Sequence, residues 1–462
     1  MDEDNNNLDE DNLISLFLNV NLTKHVKLSE ISNYIVKDDY LLFFEDNTFT
    51  IEKYTYNKLK IYESIVQNHI INCKNHNYVQ ALELRRRYIE NYPRIRFYKK
   101  FFRTYLFVDR IESADDNAEH LFRYATRKMD GVKKYFVVSS QSKDFERLSK
   151  YGKVVDFNSE EHKFLYLLAD KVITTHPYES GINPFFSYDK SLDERDNYAG
   201  LVTPQIYFLQ HGVTKDNISD WMSKFDKNLS LLVTVNDDEK ESFNVEGYGY
   251  DKNIIQTLGF PRYDNLKNND NKQILIIPTW RKYLRGNKKL FMNSDYFKRI
   301  NDLLNNQEFI EYAKKKGYSI IFKAHPEVEK NINDTEERYI DLFDMDESVK
   351  LSRGESYQEL LNNSSLLITD YSSVFYDFAY MKKPIIYYHP GDDYHYEEGY
   401  FDYETMGFGE IVENEKELID SIKEYIDSGC IMKDKYVERV NGFFKFTDKN
   451  NSKRVYNWIK KH

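Results

Sequence analysis

The sequence predicts an α/β fold: two Rossmann-like, doubly wound domains facing a cleft, preceded by a mixed or helical N-terminal extension. Two observations carry this. From Tyr105 onward, short apolar runs alternate with polar helical stretches, the pattern of βαβ units whose parallel sheets are covered on both faces. The runs are YLFVDR, KKYFVVSS, KVVDF, KVITTH, QIYFLQHG, SLLVTVN, QILIIPTWR, YSIIFKAHP, SLLITD and PIIYYH. They are too many for one compact sheet, and the pattern breaks near Asn236–Gly259.

The expected division is an extension over 1–103, a first Rossmann-like domain over 104–240 and a second over 241–462. The helix over Ser452–Lys461 would pack back on the first domain. The first dozen residues, MDEDNNNLDEDN, read as a frayed acidic tail, the reverse of a signal peptide. Leu41–Tyr54 reads as a short hairpin around Asp46-Asn47, and Lys58–Leu84 as helix. Residues 1–83 carry no recognisable chemistry.

Composition narrows the function. At 462 residues and a formal charge of −11, the chain is not a generic nucleic-acid binder, because neutralising phosphates takes a net basic surface. Only Cys73 and Cys430 are present, without a CxxC or a Cys/His cluster, which removes disulfide scaffolds, Cys-based zinc sites and iron–sulfur clusters. No apolar run reaches the roughly 18 residues that span a bilayer, so the chain is expected in the cytoplasm, with room for attachment to a membrane surface.

One segment reverses the acidic balance. Leu84–Arg103 holds eight Lys/Arg against one Glu, interleaved with Tyr88, Tyr92, Phe97, Tyr98, Phe101 and Phe102. Arg85, Arg86, Arg87, Arg94, Arg96, Lys99, Lys100 and Arg103 fit a surface that docks on anionic headgroups or a polyanionic acceptor. They also fit a solvated helix face with inward aromatics, broken at Pro93. Both readings stand at this level.

In open α/β sheets, ligands sit beyond the carboxyl ends of the strands. That rule selects His211-Gly212 after QIYFLQ, Arg281 after ILIIPTW, His325-Pro326 after YSIIFKA and Thr369-Asp370-Tyr371-Ser372-Ser373 after LLI. Val374, Phe375, Phe378, Ala379 and Met381 then fit a buried helix face, with Ser372 or Ser373 as its N-cap. Free N–H groups and two hydroxyls there suit a pyrophosphate. Taken alone, capping explains the segment better; beside His325 and Arg281 on neighbouring strands, an anion site becomes the better explanation. His211 comes from the other domain and would face the cleft from the opposite wall, where an acceptor hydroxyl needs a general base. Lys215 shares its loop. There is no GxxxxGK[ST] and no GxGxxG after a strand, which argues against a P-loop nucleotidase and a dinucleotide cofactor. Asp344-Met345-Asp346 lies in an acidic loop and is a weak metal candidate.

HGVTK, GFPRYDNL (Gly259–Leu266), IPTWR, KAHP and LLITDYSSVFYDFAYMKKPIIYY, in this order and spacing, resemble the CDP-glycerol glycerophosphotransferase family, makers of teichoic acids and related polyol-phosphate polymers. The likeness runs from about Tyr105 to Lys461, and Val108–Phe122 resembles the family's "DN" segment. It implies a GT-B fold and transfer of a polyol phosphate from a CDP-activated donor to a hydroxyl of a cell-surface polymer or its lipid-linked precursor, with release of CMP. It implies work at the cytoplasmic (inner) face of the cell membrane and no required cofactor, a divalent cation accompanying the donor being compatible.

By position, the resemblance gives His211 as candidate base, His325 and Arg281 on the donor pyrophosphate, and Thr369, Ser372 and Ser373 on its phosphates. Asp370 and Asp377 would support the site, and Arg262 and Asp264 would shape the linker. Two departures are visible: Val213 where Thr is frequent, and Glu398 where Arg precedes Gly-Tyr. The second keeps CDP-ribitol or another polyol open as donor. The competing expectations are a polysialyltransferase-like enzyme using a nucleotide sugar on the same scaffold, and a non-catalytic membrane-docked scaffold.

Overall fold

The computed structural model describes residues 33–45, 48–245, 247–269, 271–333, 335–391 and 399–462. Three strands open the described chain: β1 (Asn33–Lys37), β2 (Tyr40–Glu45) and β3 (Thr48–Lys53), paired antiparallel in that order. The expected hairpin is therefore present, with a third strand before it; the expected turn residues Asp46-Asn47 and the acidic tail lie outside the described residues. Helices follow at Tyr56–Cys73, Tyr78–Glu90 and Tyr92–Lys99.

The first parallel sheet contains β4 (Arg103–Val108), β5 (Val132–Val138), β6 (Lys153–Asp156), β7 (Lys171–Thr174), β8 (Gln205–Phe208), β9 (Leu229–Thr234) and β10 (Ile255–Thr257), in spatial order β10-β9-β8-β7-β4-β5-β6. The second contains β11 (Gln273–Ile277), β12 (Ser319–Phe322), β13 (Val349–Leu351), β14 (Leu366–Thr369), β15 (Ile385–Tyr388) and β16 (Gly409–Val412), in order β13-β12-β11-β14-β15-β16. All ten expected strands are among these. The three that sequence reading passes over, β10, β13 and β16, are short and lie at sheet edges, where half a strand's pairing and little apolar patterning are required. Because Ile255–Thr257 pairs with Leu232–Thr234, the chain leaves the first sheet only after Thr257, later than the expected boundary at 240–241.

Side chains alternate across a strand, so each sheet feeds two cores. Tyr105, Phe107, Phe136, Val138 and Ile173 point to the core shared with the helix Asn117–Ala125 and with Val455, Tyr456 and Ile459 of the last helix. Leu106, Val108, Val137, Val155 and Val172 point the other way, onto Leu41, Phe43, Leu59, Val66, Ile70 and Tyr88. The extension is thus the layer that covers one face of the first sheet. The last helix returns across the first domain: Tyr456 Oη donates to Asp130 Oδ2 at 2.7 Å, and Lys171 Nζ donates to the Ile459 carbonyl. Asp264 caps it, accepting N–H groups from Asn451 and Ser452 at 2.8 Å each.

The basic segment is divided by this packing. Helix Tyr78–Glu90 buries Ala81, Leu82, Arg85, Tyr88 and Ile89, one stripe of a 3.6-residue period. Arg85 falls on that stripe and is 0% exposed, its Nε and Nη2 on Glu63 at 2.8 and 2.7 Å and its Nη1 on the carbonyls of Asn197 and Ala199. It is a core ion pair, which corrects its expected place on a docking surface. Arg96 is held by Asp39 at 2.7 Å and lies over the Tyr54 ring; Lys99 is half-buried. Arg86, Arg87, Arg94, Lys100 and Arg103 are exposed. Among them stand Phe97 (65% exposed) and Phe101 (64% exposed), ring centroids 5.2 Å apart, with Tyr98 and Phe102 alongside. Among the described residues, no helix is long and apolar enough to cross a membrane.

Candidate active site

The carboxyl ends of both sheets deliver polar side chains to one region. On the first domain, β8 is followed by Leu209-Gln210-His211. Gln210 takes a left-handed backbone (φ 59°), uncommon for a residue with a Cβ. It is held there by its amide, which donates to the Val233 carbonyl at 2.6 Å and to Glu239 Oε1 at 2.9 Å. Glu239 also accepts the N–H groups of Thr214 and Val235, at 2.9 and 2.8 Å; burial pushes its carboxyl up to about 7. This buried scaffold turns His211 outward.

His211 is exposed to the cleft and stacked on His176, centroids 4.6 Å apart and planes 14° apart. The surrounding protein walls withdraw water from the His211 imidazole and lower its pKa from the ordinary value; Asp116 opposes this, and Arg110 and Arg262 add to it. His176 is pulled down to about 2, by burial first and then by His211 and Arg110, so it is neutral at any working pH. The Arg110 Nε–H donates to His176 Nε2 at 3.4 Å; arginine is always a donor, so the ring proton belongs on Nδ1, which faces Thr175 Oγ1 at 3.1 Å. The Thr175 hydroxyl in turn reaches buried Asp109 at 3.1 Å.

On the second domain, His325, Arg281 and the Thr369–Ser373 segment follow β12, β11 and β14, three adjacent strands. Their side chains divide into two kinds. Arg281 is buried, with Nη1 on Asp370 Oδ2 at 2.9 Å and on the Thr279 carbonyl at 2.8 Å. Asp370 also accepts from the N–H groups of Thr279 and Tyr371, and the Thr369 hydroxyl donates to the Ile277 carbonyl at 2.7 Å. These three fix the strand tips to one another. Ser372, Ser373 and His325 are half-buried. Ser373 is the N-cap of helix Val374–Tyr380 but makes no side-chain capping bond, and Ser372 Oγ accepts only a 3.5 Å contact from Val374 N–H. Capping alone therefore does not account for the paired serines. His325 Nδ1 accepts from the Glu327 N–H at 3.2 Å, leaving Nε2 to face outward; burial lowers its pKa, Glu327 and Asp370 opposing and Arg110 and Lys330 assisting.

The walls touch. A Cβ built on Gly212, next to His211, would stand 2.5 Å from Ser373 Oγ. Arg262, in the turn Pro261–Asn265, grips Asp377 through Nε and Nη2 at 2.6 and 2.7 Å and Asp116 through Nη1 at 2.8 Å, and donates to the His211 carbonyl at 3.0 Å. Asn117 completes the joint: its amide donates to the Gln210 carbonyl at 2.8 Å while its oxygen accepts the Arg262 N–H at 3.1 Å. Lys215 is buried against Asp216, 2.7 Å away, and over the Tyr403 ring of the opposite domain. Asp264 serves the last helix rather than the cleft. Beside the serines, a pocket of about 550 Å³ is lined by Tyr371, His389 and Tyr403, with Asp402, Glu404 and Glu413 at its edge; Tyr371 and His389 stack at 4.3 Å. Asp344 and Asp346 lie away from these strand ends, and no cluster of metal-ligating side chains is present among the described residues. Glu398 lies outside the described residues.

Sequence reasoning missed Arg110 and His176, and it marked Asp116 and Asn117 only as part of the "DN" segment, with no role at the joint. The signal was available for the first two: VDR and TTH close the strands at β4 and β7 just as LQH follows β8.

Two Rossmann-like domains with their strand ends facing one cleft, crossed by a single linker and tied by a returning C-terminal helix, define a GT-B-type scaffold. A solved structure of the wall teichoic acid polymerase TagF has this fold too, at TM-score 0.54 and 16% identity over 83% of this chain and 98% of that one. The chain belongs to the family described as CDP-Glycerol:Poly(glycerophosphate) glycerophosphotransferase, which matches residues 94–461. It is 44% identical over 368 residues to the minor teichoic acid biosynthesis protein GgaB of Bacillus subtilis (strain 168), covering 77% of this chain and 39% of that protein. It is 30% identical over 231 residues to a teichoic acid poly(glycerol phosphate) polymerase of Bacillus spizizenii, covering 45% of this chain and 52% of that protein. The chain thus spans about half, or less, of the length of these two relatives.

Proposed function

We propose that this chain transfers a polyol phosphate from a CDP-polyol to a hydroxyl of a teichoic-acid-type polymer or its lipid-linked precursor, releasing CMP. The observation that carries the reading is the close approach of Gly212 to Ser373, which sets His211 of one domain beside the paired serines of the other.

The acceptor hydroxyl attacks the β-phosphorus. Its oxygen forms the new P–O bond, the bond from that phosphorus to the bridging oxygen breaks, and CMP leaves with the electron pair. The hydroxyl proton goes to His211, which a lowered pKa keeps neutral and ready to accept it. His325 Nε2 and the Ser372 and Ser373 hydroxyls are fixed donors for the charge that develops on the diphosphate. Arg281, Asp370 and Thr369 hold those donors in place through the bonds between strand tips. The pocket at Tyr371 and His389 offers aromatic faces for a cytosine and carboxylates for ribose hydroxyls. No resident cofactor enters these steps; a divalent cation travelling with the diphosphate is compatible with them.

The exposed Phe97–Phe101 surface with Arg94, Lys100 and Arg103 supports peripheral attachment to the cytoplasmic face of the membrane, where a lipid-linked acceptor resides. The deciding experiment is a panel of CDP-glycerol, CDP-ribitol and CMP-sugars with CMP release and product phosphorus as readouts. A phosphodiester product formed from a CDP-polyol is expected. A phosphorus-free glycosidic product would make this a sugar transferase, and binding without turnover of any donor would make it a scaffold.

A further inference from the structure

The cations at the cleft are not equivalent. Arg262 is held by Asp377 and Asp116, Arg281 by Asp370 and Lys215 by Asp216. Arg110 is exposed, and its hydrogen-bonding partner is a neutral ring, His176, reached through Nε alone. Among the described residues it forms no ion pair with a carboxylate. Its backbone N–H donates to the Ser113 carbonyl at 3.1 Å, fixing the turn that follows β4 and the root of the side chain. The His176–Thr175–Asp109 chain of contacts fixes the ring against which the guanidinium rests. The ring that Arg110 rests against is the one stacked on His211, 4.6 Å between centroids, so the guanidinium stands at the first wall of the cleft beside the candidate base; its charge also helps to lower the pKa of His211 and of His325 on the other domain. A guanidinium that meets no carboxylate among the described residues and is bonded through Nε keeps the Nη pair for an oxyanion in forked geometry.

Resting on the function proposed above, we infer that Arg110 grips the non-bridging oxygens of the phosphoryl group in transit, from the acceptor side of the cleft, opposite His325 and the serines. It is thereby a catalytic residue. His176 is its positioning residue, as well as the plate beneath His211. The arrangement gives the transferred phosphoryl group cationic contact from the first domain while the nucleotide stays with the second. The class of ligand is a phosphodiester or phosphoryl oxyanion, and the specific claim is the donor's β-phosphoryl rather than a phosphate of the acceptor chain.

The test uses the full chain with whichever of CDP-glycerol or CDP-ribitol the wild type consumes, and a short lipid-linked oligo(polyol phosphate) as acceptor. Arg110→Gln is expected to lower kcat by about 100-fold, while CMP, which lacks the transferred phosphoryl group, binds within about twofold of wild type by calorimetry. Arg110→Lys, which keeps the charge, is expected to recover about tenfold of that loss. The inference is overturned if Arg110→Gln keeps kcat within about threefold of wild type. It is equally overturned if the defect is confined to the KM of the acceptor, or if CMP affinity falls in step with kcat. A wild type that releases CMP from neither CDP-polyol would overturn the underlying function instead, so the two failures are separable.

Discussion

Gly212 and Ser373 belong to different domains, yet a Cβ on the first would sit 2.5 Å from the hydroxyl of the second and 3.2 Å from its Cβ. The absence of a side chain at 212 therefore sets how closely the two walls of the cleft approach. Gly212→Ala should open the cleft by forcing Ser373 aside and cost at least about tenfold in CMP release, because near-attack geometry tolerates little displacement. A G212A enzyme with wild-type turnover would show that the approach is incidental.

Arg262 is the electrostatic rivet of the joint. Removing it leaves Asp377 and Asp116 facing each other across a nearly dry interface, their side chains 5% and 19% exposed. Arg262→Ala should destabilise the chain by about 3–5 kcal/mol, the range for stripping one partner from a buried pair. Arg262→Lys should recover little of this, since an ammonium cannot fork to Asp377 and also reach Asp116. Thermal melting of both variants checks it; equal stability of the Lys variant and wild type would contradict it.

The pH profile follows from the direction of the histidine shifts. His211 and His325 are both lowered from 6.5, principally by loss of water around them. A base must be neutral, so activity is lost as pH falls through the folded-state pKa, and the acid limb of kcat/KM should lie below pH 6.5. The same sign holds for stability: an imidazole whose pKa is depressed by folding destabilises the fold as it is forced to protonate at lower pH. Rates measured between pH 5 and 8 decide this, and an acid limb above 7 would exclude His211 as the base.

The basic segment should separate by burial. Phe97→Ser with Phe101→Ser should weaken sedimentation with anionic vesicles by at least about fivefold while leaving the melting temperature within a few degrees. Arg85→Ala should do the opposite, destabilising by about 3 kcal/mol through the stranded Glu63 carboxylate without acting on vesicles directly. Loss of vesicle binding in a folded Arg85→Ala protein would contradict the division.

Tyr371→Ala should raise the KM for the CDP-polyol more than it lowers kcat, because the ring lines the pocket beside the serines and stacks on His389. A pure kcat effect would move the nucleoside elsewhere.

Two sheets, ten of their thirteen strands and the polar residues at the strand tips were all decided by the sequence alone, because apolar runs spaced by helices have one economical arrangement and ligand-facing groups lie beyond the carboxyl ends. His211, His325 and the paired serines are legible for that reason. What each charged side chain touches was decided by tertiary structure. Arg85 and Arg86 are neighbours in one basic run, and only the 3.6-residue stripe of their helix sends the first inward to Glu63. Arg281 and Arg110 both follow strands, yet a carboxylate meets the first and a neutral imidazole the second. The partners lie 89 and 66 residues away in the chain. Pairing over such distances depends on which strands become neighbours, a property of the folded sheet that no local pattern encodes.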